Sequence, residues 1–372
     1  MKLDIKYDEL QKFRKENGYI DLDEIVDYNE KFQREVRGYE DREKDWIELE
    51  DTNVLAKTNS DEYDNSSWSE IICTQLATMA NLDVAECDIV KYKGKYGIIS
   101  KNICKENEEL ITINDLIGTG PTNEEYPDST DIYYVFDNLQ KKLYEDGVKE
   151  EQIDKCMLDL RKQLLFDMYV METDRHTENI SFIMGTDENG ERTARLAPMY
   201  DTEKALALYD NKEYMEKIYK DILKVSEVTN MQEPKICVIP EKEEVKEDNI
   251  ALSNFMAFLQ YNVSNVDYGS DSERIWKETL DFLCEDERTL DYVENVLCKL
   301  DISKAMQSVE EKIGTKIPEH ITNMAKACFY DRKEAIDYEL GLDLNINKEE
   351  KDVKNKEVDI RWKVWYNICS VK

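Results

Sequence analysis

The sequence predicts an α+β chain, a small lobe of mixed β-structure followed by a larger, mainly helical C-terminal lobe. Three observations predict it. Short strand-like runs cluster in the first hundred residues: Trp46-Ile47-Glu48-Leu49-Glu50, Val54-Leu55-Ala56-Lys57, Ile89 to Tyr92 and Tyr96 to Ser100. Further on, apolar residues recur at three- and four-residue steps, as Met157, Leu160, Leu164, Met168 and Met171 do, which marks a buried helix face. One hairpin interrupts the helical part. Its runs, Ile180 to Met184 and Thr193 to Met199, flank a turn that ends at Asn189-Gly190.

Taken in order, residues 1–36 are highly charged and carry helical spacing at Leu10 and Phe13 and at Leu22, Ile25 and Val26, so they predict a helical prefix packed on the next lobe. Residues 37–103 hold the strands of the small lobe and a helix from Trp68 to Asn81, with Ile71, Ile72, Leu76, Met79 and Ala80 on one face. Lys93-Gly94-Lys95 turns a hairpin. Residues 104–345 predict the large lobe. Leu110 to Leu116 starts it, the Gly/Pro/Asp-rich segment 118–131 forms an exposed loop, and Ile132 to Tyr144 and Lys149 to Met171 are helices. Helix continues over Thr202 to Tyr219, charges run from Glu241 to Asp248, and amphipathic helices fill 250–340. Residues 346–372 form a charged tail whose Ile360, Trp362, Val364, Trp365 and Tyr366 call for burial on the large lobe or on a partner.

Composition narrows the function. The 83 acidic and 50 basic side chains give a net charge of −33. Such a surface repels nucleic acid and anionic membranes, which argues against direct DNA binding and against lipid substrates. Solubility alone accounts for the acidity equally well. Nine cysteines are scattered without a C-x-x-C pair, pointing to a reducing compartment and no structural zinc. The start, MKLDIKYDEL, has no apolar signal core, and no stretch approaches the length of a membrane span, so a cytoplasmic protein is expected.

The chemistry concentrates between Phe166 and Leu208. A helix leads into Asp174-Arg175-His176-Thr177-Glu178-Asn179, and the return strand of the hairpin brings Asp201 back towards Asp174 and Asn179. Phosphoryl transfer needs such a set. One carboxylate orients the attacking hydroxyl, an amide five residues on holds magnesium, and a second carboxylate holds it from the other side. Hard oxygen ligands suit Mg²⁺, and the D-x-x-x-x-N spacing matches a kinase catalytic loop.

These motifs carry a resemblance. Asp174 to Ile180, DRHTENI, resembles the catalytic loop of the phosphatidylinositol-kinase-like group, and together with Leu196 to Asp201, LAPMYD, it resembles the HipA-like kinases. Those are bacterial serine/threonine protein kinases with a two-lobed kinase-like fold, some of them toxins paired with a DNA-binding antitoxin. The resemblance implies ATP and Mg²⁺ as cofactors, a protein hydroxyl as substrate and an antitoxin-like partner. It implies Asp174 as catalytic base with His176 beside it, and Asn179 and Asp201 as magnesium ligands. It also implies Lys57 on the nucleotide phosphates, Glu70 as the partner of Lys57, and Ser100 to Ile103 as the hinge that holds the adenine.

The residues leave alternatives open at several of these positions. Lys57 ends a strand, where a lysine is commonly solvated. Ser67-Trp68-Ser69-Glu70 is an S-x-x-E capping box, in which Glu70 bonds to its own helix terminus and not to Lys57. His176 either braces Asp174 or satisfies loop backbone groups, and Arg175 is expected to ion-pair inside the loop and not on phosphate. One departure from a kinase is plain. Gly38-Tyr39-Glu40-Asp41-Arg42-Glu43-Lys44 holds one glycine and three acids where a glycine-rich loop would cover phosphate, and Gly118-Thr119-Gly120-Pro121 precedes a loop and not a helix. A nucleotide-binding interaction module without catalysis is therefore the second reading, and a small-molecule or lipid phosphotransferase the third.

Overall fold

Five strands make the first sheet, in the order β1-β4-β5-β3-β2. They are β1 (Ile20–Asp21), β2 (Lys44–Glu48), β3 (Asn53–Thr58), β4 (Cys87–Tyr92) and β5 (Lys95–Lys101). The computed structural model describes residues 2–26, 44–60, 64–117, 132–172, 174–175, 178–208 and 271–342. The helix expected over Thr202 to Tyr219 does not begin at Thr202: residues 202–208 are turns and irregular backbone, held by bonds from Ser69 and to the Val170 carbonyl. His176, the glycine-poor run 38–43, the loop 118–131, residues 209–219 of that expected helix, the charge run 241–248 and the tail 346–372 lie outside the described residues.

Alternation along β3 decides which side chains face the cleft. Val54 and Ala56 point into a core with Ile47, Val90, Tyr92 and Ile99, so Leu55 and Lys57 fall on the opposite face. Lys57 stands opposite Lys44 of β2 and Ile98 of β5. Beside it, Gly97 is required by close approach: a Cβ there would lie 2.0 Å from the Lys57 carbonyl oxygen.

The first core closes in a way the spacing did not foretell. Residues 2–26 do not form the expected helices. Tyr7–Phe13 and Leu22–Glu24 are short 3₁₀ turns, and β1 adds to the sheet parallel to β4. Their Tyr7, Leu10, Ile20, Leu22 and Val26 cover one sheet face. The apolar spacing at three and four residues still holds, because a 3₁₀ turn also brings i and i+3 to one side.

Helix α1 (Ser66–Met79) covers the other face, and its Ile71, Ile72, Leu76 and Ala77 join the core of the large lobe. That lobe opens with β6 (Glu109–Thr112) and α2 (Ile113–Ile117), then α3 (Ile132–Glu145) and α4 (Glu150–Val170). The hairpin forms as β7 (Ser181–Thr186) and β8 (Arg192–Leu196), its turn passing through Gly190 at φ +79°. A third strand, β6, pairs with β7 through Leu110–Ile183 and Ile111–Phe182. Helices α5 (Asp271–Cys284), α6 (Glu287–Asn295), α7 (Ile302–Ile313) and α8 (Glu319–Glu339) complete it. The chain is thus α+β, a mixed sheet region followed by a helical one. No helix among the described residues is long and apolar enough to cross a membrane.

Contacts at the end of α1 and at the start of β4 join the lobes. Tyr292 of α6 donates its hydroxyl to the Ala80 carbonyl at 2.8 Å, and Lys312 of α7 donates to the Cys87 carbonyl at 2.8 Å. Lys312 also lies 3.6 Å from Asp88, which is 1% exposed and already bonded by Arg14 at 2.6 Å.

Candidate active site

Helix α4 carries the first pole of the site. Its last turns are buried all round, from Leu164 through Val170, so its end runs into the core and not along the surface. Met171 caps it in the left-handed region, φ 53°. The next backbone N–H, of Glu172, returns to the Asp167 carbonyl at 2.9 Å. Such a return satisfies one of the carbonyls a helix end leaves open. The chain thus turns sharply into Asp174.

Arg175 then ties the site together. Its side chain is fully buried and grips Asp167 of α4 with two bonds, Nε to Oδ2 at 2.8 Å and Nη2 to Oδ1 at 3.0 Å. Its Nη1 donates to the Asn179 carbonyl at 3.0 Å and to the Tyr200 carbonyl at 2.9 Å. One planar guanidinium therefore holds the loop that contains Asn179 and the residue before Asp201. This fork geometry suits arginine and not lysine. The ion pair expected for Arg175 inside the loop does not form; the guanidinium reaches back to Asp167 of α4, whose buried carboxylate needs a counter-charge. Asn179 is buried and its Nδ2 donates to the Asp174 carbonyl at 2.9 Å. Among the described residues no hydrogen bond engages its Oδ1.

The second pole is held from the small lobe. Met199 bridges to the segment before β4, its N–H bonding to the Asp83 carbonyl at 2.8 Å and its carbonyl accepting from Ala85 at 2.9 Å. Asp201 follows in the left-handed region, φ 58°, a conformation that aspartate tolerates better than most residues. Ser69 of α1 donates its hydroxyl to the carbonyls of both Thr202 (2.7 Å) and Ala205 (2.9 Å). Leu206 N–H reaches the Val170 carbonyl at the end of α4, 2.7 Å away. Residues 201–206 are thereby anchored to α1 and α4 together.

Lys57 meets this segment. Its ammonium lies 2.6 Å from Asp201 Oδ1 and also bonds the Glu203 carboxylate. Neither alternative for Glu70 is realised. Its Oε1 accepts from the Asp201 N–H at 3.3 Å, and the ion pairs of Lys57 among the described residues go to Asp201 and Glu203. The capping box is absent because Ser67 bonds Asn59 instead, while Asp64 accepts from the Ser66 N–H at 2.8 Å. Asn65 is the N-cap, without a side-chain bond.

Electrostatics follow from this crowding. Burial works against the Lys57 ammonium, but Asp201, Glu203 and Glu70 outweigh it and hold it charged. Burial likewise raises Asp201, yet Lys57, Lys44 and Arg175 pull its carboxyl well below the ordinary range. Burial first, helped by repulsion from Asp201 and Glu203 against the pull of Lys57, pushes Glu70 up. Asp174 is pushed up to about 6, by burial first and then by Asp201 and Glu203. Two carboxyls of one site are so driven apart, a pattern common where acid–base work is done. The donor set also fits a hard divalent cation: Glu70, Asp201 and Glu203 each offer a carboxylate oxygen, all within 4.8 Å of one another.

Against known proteins, the HipA-like C-terminal domain family matches residues 28–247, more than half of the chain. The chain belongs to the HipA-like family. The matched span includes Lys57, Glu70, the Asp174 loop and Asp201. Among solved structures, this HipA-like chain is similar to the Helicobacter pylori proinflammatory kinase CtkA, with a TM-score of 0.55 at 16% identity over 84% of this chain and 96% of that one. It also aligns with HipA of Shewanella oneidensis MR-1, from a toxin–antitoxin complex with HipB and operator DNA, with a TM-score of 0.45 at 13% identity over 87% of this chain and 69% of that one. No curated protein sequence matches it. The similarity to CtkA shows a shared fold.

In this HipA-like chain contacts link Lys57 and Glu70 to Asp201, and Asn179 to Asp174, with Arg175 joining the two sets. Ser100 lies in β5 opposite Leu55 and Cys87, and the Ile103 carbonyl accepts from Arg195 at 3.1 Å, so that oxygen is already engaged. Three residues escaped the sequence reading: Ser69, Asp167 and Glu203. Ser69 and Asp167 are polar residues on otherwise buried helix faces, a signal that could have found them. Glu203 stands in no motif.

Proposed function

We propose that this chain is an ATP- and Mg²⁺-dependent phosphotransferase, a HipA-like serine/threonine kinase that transfers the γ-phosphoryl group to a protein hydroxyl. The observation that carries this reading is the Arg175 fork, which holds the Asn179 and Asp201 segments together beside Asp174 and across from Lys57. Asp174, raised yet ionised at neutral pH, takes the proton of the attacking hydroxyl. Lys57 binds phosphate as a point charge. Asn179 and Asp201 would hold Mg²⁺, joined by Glu70 or Glu203, and the metal supplies charge neutralisation on the phosphates when bound. Arg175 and Asp167 keep the loop in register.

Other parts of the reading have separate support. The charge of −33 favours a protein acceptor over an anionic lipid. Free thiols at all seven described cysteines suit a reducing cytoplasm. Family membership is the ground for an antitoxin-like partner, and for dividing the chain into a small lobe at 37–103 and a large lobe at 104–345, with 1–36 and 346–372 as flanking segments. His176 and Ser100 to Ile103 keep the brace and hinge roles that the resemblance implies.

The test is thermal melting with nucleotide. ATP plus Mg²⁺ raises the melting temperature, since a ligand at about 100 times its Kd adds about 2.7 kcal/mol. Asp201→Ala abolishes the Mg²⁺-dependent part. No shift of the wild type at millimolar ATP and Mg²⁺ would contradict the reading.

A further inference from the structure

Glu203 is a candidate cation ligand in the reading above, and its contact with Lys57 has no role there. Its carboxylate and the Lys57 ammonium are joined directly, with the two side chains 13% and 9% exposed. The position is not that of a wandering surface acid. Ser69 holds the carbonyls of Thr202 and Ala205, so the backbone on both sides of Glu203 is fixed to α1. The backbone of Lys57 is fixed as well, paired with Lys44 and Ile98 in the sheet. The pair therefore belongs to the built geometry of the cleft.

Charge decides what this pair does. Lys57 is shared between Asp201 and Glu203, with Glu70 at the Asp201 backbone and all three carboxylates clustered within 4.8 Å. Asp174 feels two of them, Asp201 and Glu203. A triphosphate entering alone adds negative charge beside these carboxylates and finds the buried Lys57 ammonium already engaged. A divalent cation reverses both obstacles, because it takes up carboxylate charge and leaves Lys57 to a phosphate oxygen.

We propose that Glu203 couples nucleotide binding to divalent-cation binding: it holds the Lys57 ammonium in the nucleotide-free cleft and gives it up only when a cation neutralises the carboxylates. The proposal rests on the nucleotide-site reading above. Linkage makes it reciprocal, so the cation strengthens nucleotide binding by the same factor that nucleotide strengthens cation binding.

The experiment is calorimetric titration of ATP into wild type, Glu203→Gln and Glu203→Ala, each in EDTA and in millimolar Mg²⁺. Gln keeps the size of the side chain, and Asp201 stays on Lys57 in both variants, so melting temperatures check that each is folded. In EDTA the variants bind ATP about tenfold more tightly than wild type. Mg²⁺ tightens wild type by about tenfold or more and the variants by clearly less. If both folded variants keep the wild-type affinity in EDTA and the wild-type Mg²⁺ enhancement, the coupling role of Glu203 is overturned and the nucleotide site stands. If wild type binds no ATP in either buffer, the proposal and the nucleotide-site reading fall together.

Discussion

Replacing Arg175 with methionine removes a side chain that joins α4, the Asn179 loop and the Tyr200–Asp201 segment, and its cost follows from its partners. Asp167, with no exposed surface, would keep a carboxylate stripped of its counter-charge. Breaking a buried pair from one side costs about 3–5 kcal/mol. The carbonyls of Asn179 and Tyr200 would lose their donor as well. Each costs about 1–3 kcal/mol if no water replaces the bond, and neighbouring losses do not simply add. A total of about 4 kcal/mol or more is expected, a large part of the 5–15 kcal/mol that usually stabilises a domain. The double variant Asp167→Leu/Arg175→Met separates the two parts. It removes the orphaned charge, so it should recover most of the ion-pair loss and retain the smaller cost of the loop carbonyls. Urea unfolding followed by circular dichroism measures all three proteins. A single variant that costs under about 1 kcal/mol, or a double variant no more stable than the single, would refute the reasoning.

Three further outcomes are expected. Gly97→Ala places a Cβ 2.0 Å from the Lys57 carbonyl, so β3 and β5 must part and stability should fall by about 3 kcal/mol, with an unchanged melting temperature counting against that close approach. Asp174 titrates near 6 when folded against an ordinary 3.8, so the unfolded chain releases its proton first and stability falls as pH rises from about 4 to 6. Asp174→Asn should then be more stable than wild type at pH 7 by about 1–3 kcal/mol, the upper figure being the full shift and the lower allowing for partial exposure, and the gain should vanish below pH 4 in pH-dependent urea melts. Tyr292→Phe removes the bond to the Ala80 carbonyl at the end of α1 and should cost about 1–2 kcal/mol, read from the unfolding midpoint.

How far the sequence carries can be seen element by element. Strands β3, β4 and β5, helices α1, α3 and α4 and the β7–β8 hairpin each have a period or a turn signal of their own, and they stand within a few residues of the expected ends. Strand β6 does not, because Glu109–Thr112 is too short to show alternation and exists through its pairing with β7. The N-terminal residues read as helix because Leu10 with Phe13 and Leu22 with Ile25 satisfy both helical and 3₁₀ spacing, and pairing of β1 with β4 is a long-range choice.

The site divides in the same manner. The approach of Asp201 to Asp174 and Asn179 was legible because their spacing and the hairpin fix it locally. The partner of Lys57 was not. Glu70, Asp201 and Glu203 are all acids within reach of a folded cleft, and nothing short of tertiary approach ranks them. The S-x-x-E signal before α1 misled for a related reason: Ser67 found Asn59, and Glu70 found the Asp201 backbone. Local bonding options lose where a buried long-range partner competes.

The most direct test of the central claim is phosphoryl transfer from γ-labelled ATP with Mg²⁺, to the chain itself and to a panel of proteins, comparing wild type with Asp174→Asn. The account predicts label on protein with wild type, a rate lower by about 10²–10⁴ with the variant, and ATP binding retained by both. Equal label from the two proteins would contradict Asp174 as base, and no label from either across the panel would contradict the phosphotransferase itself.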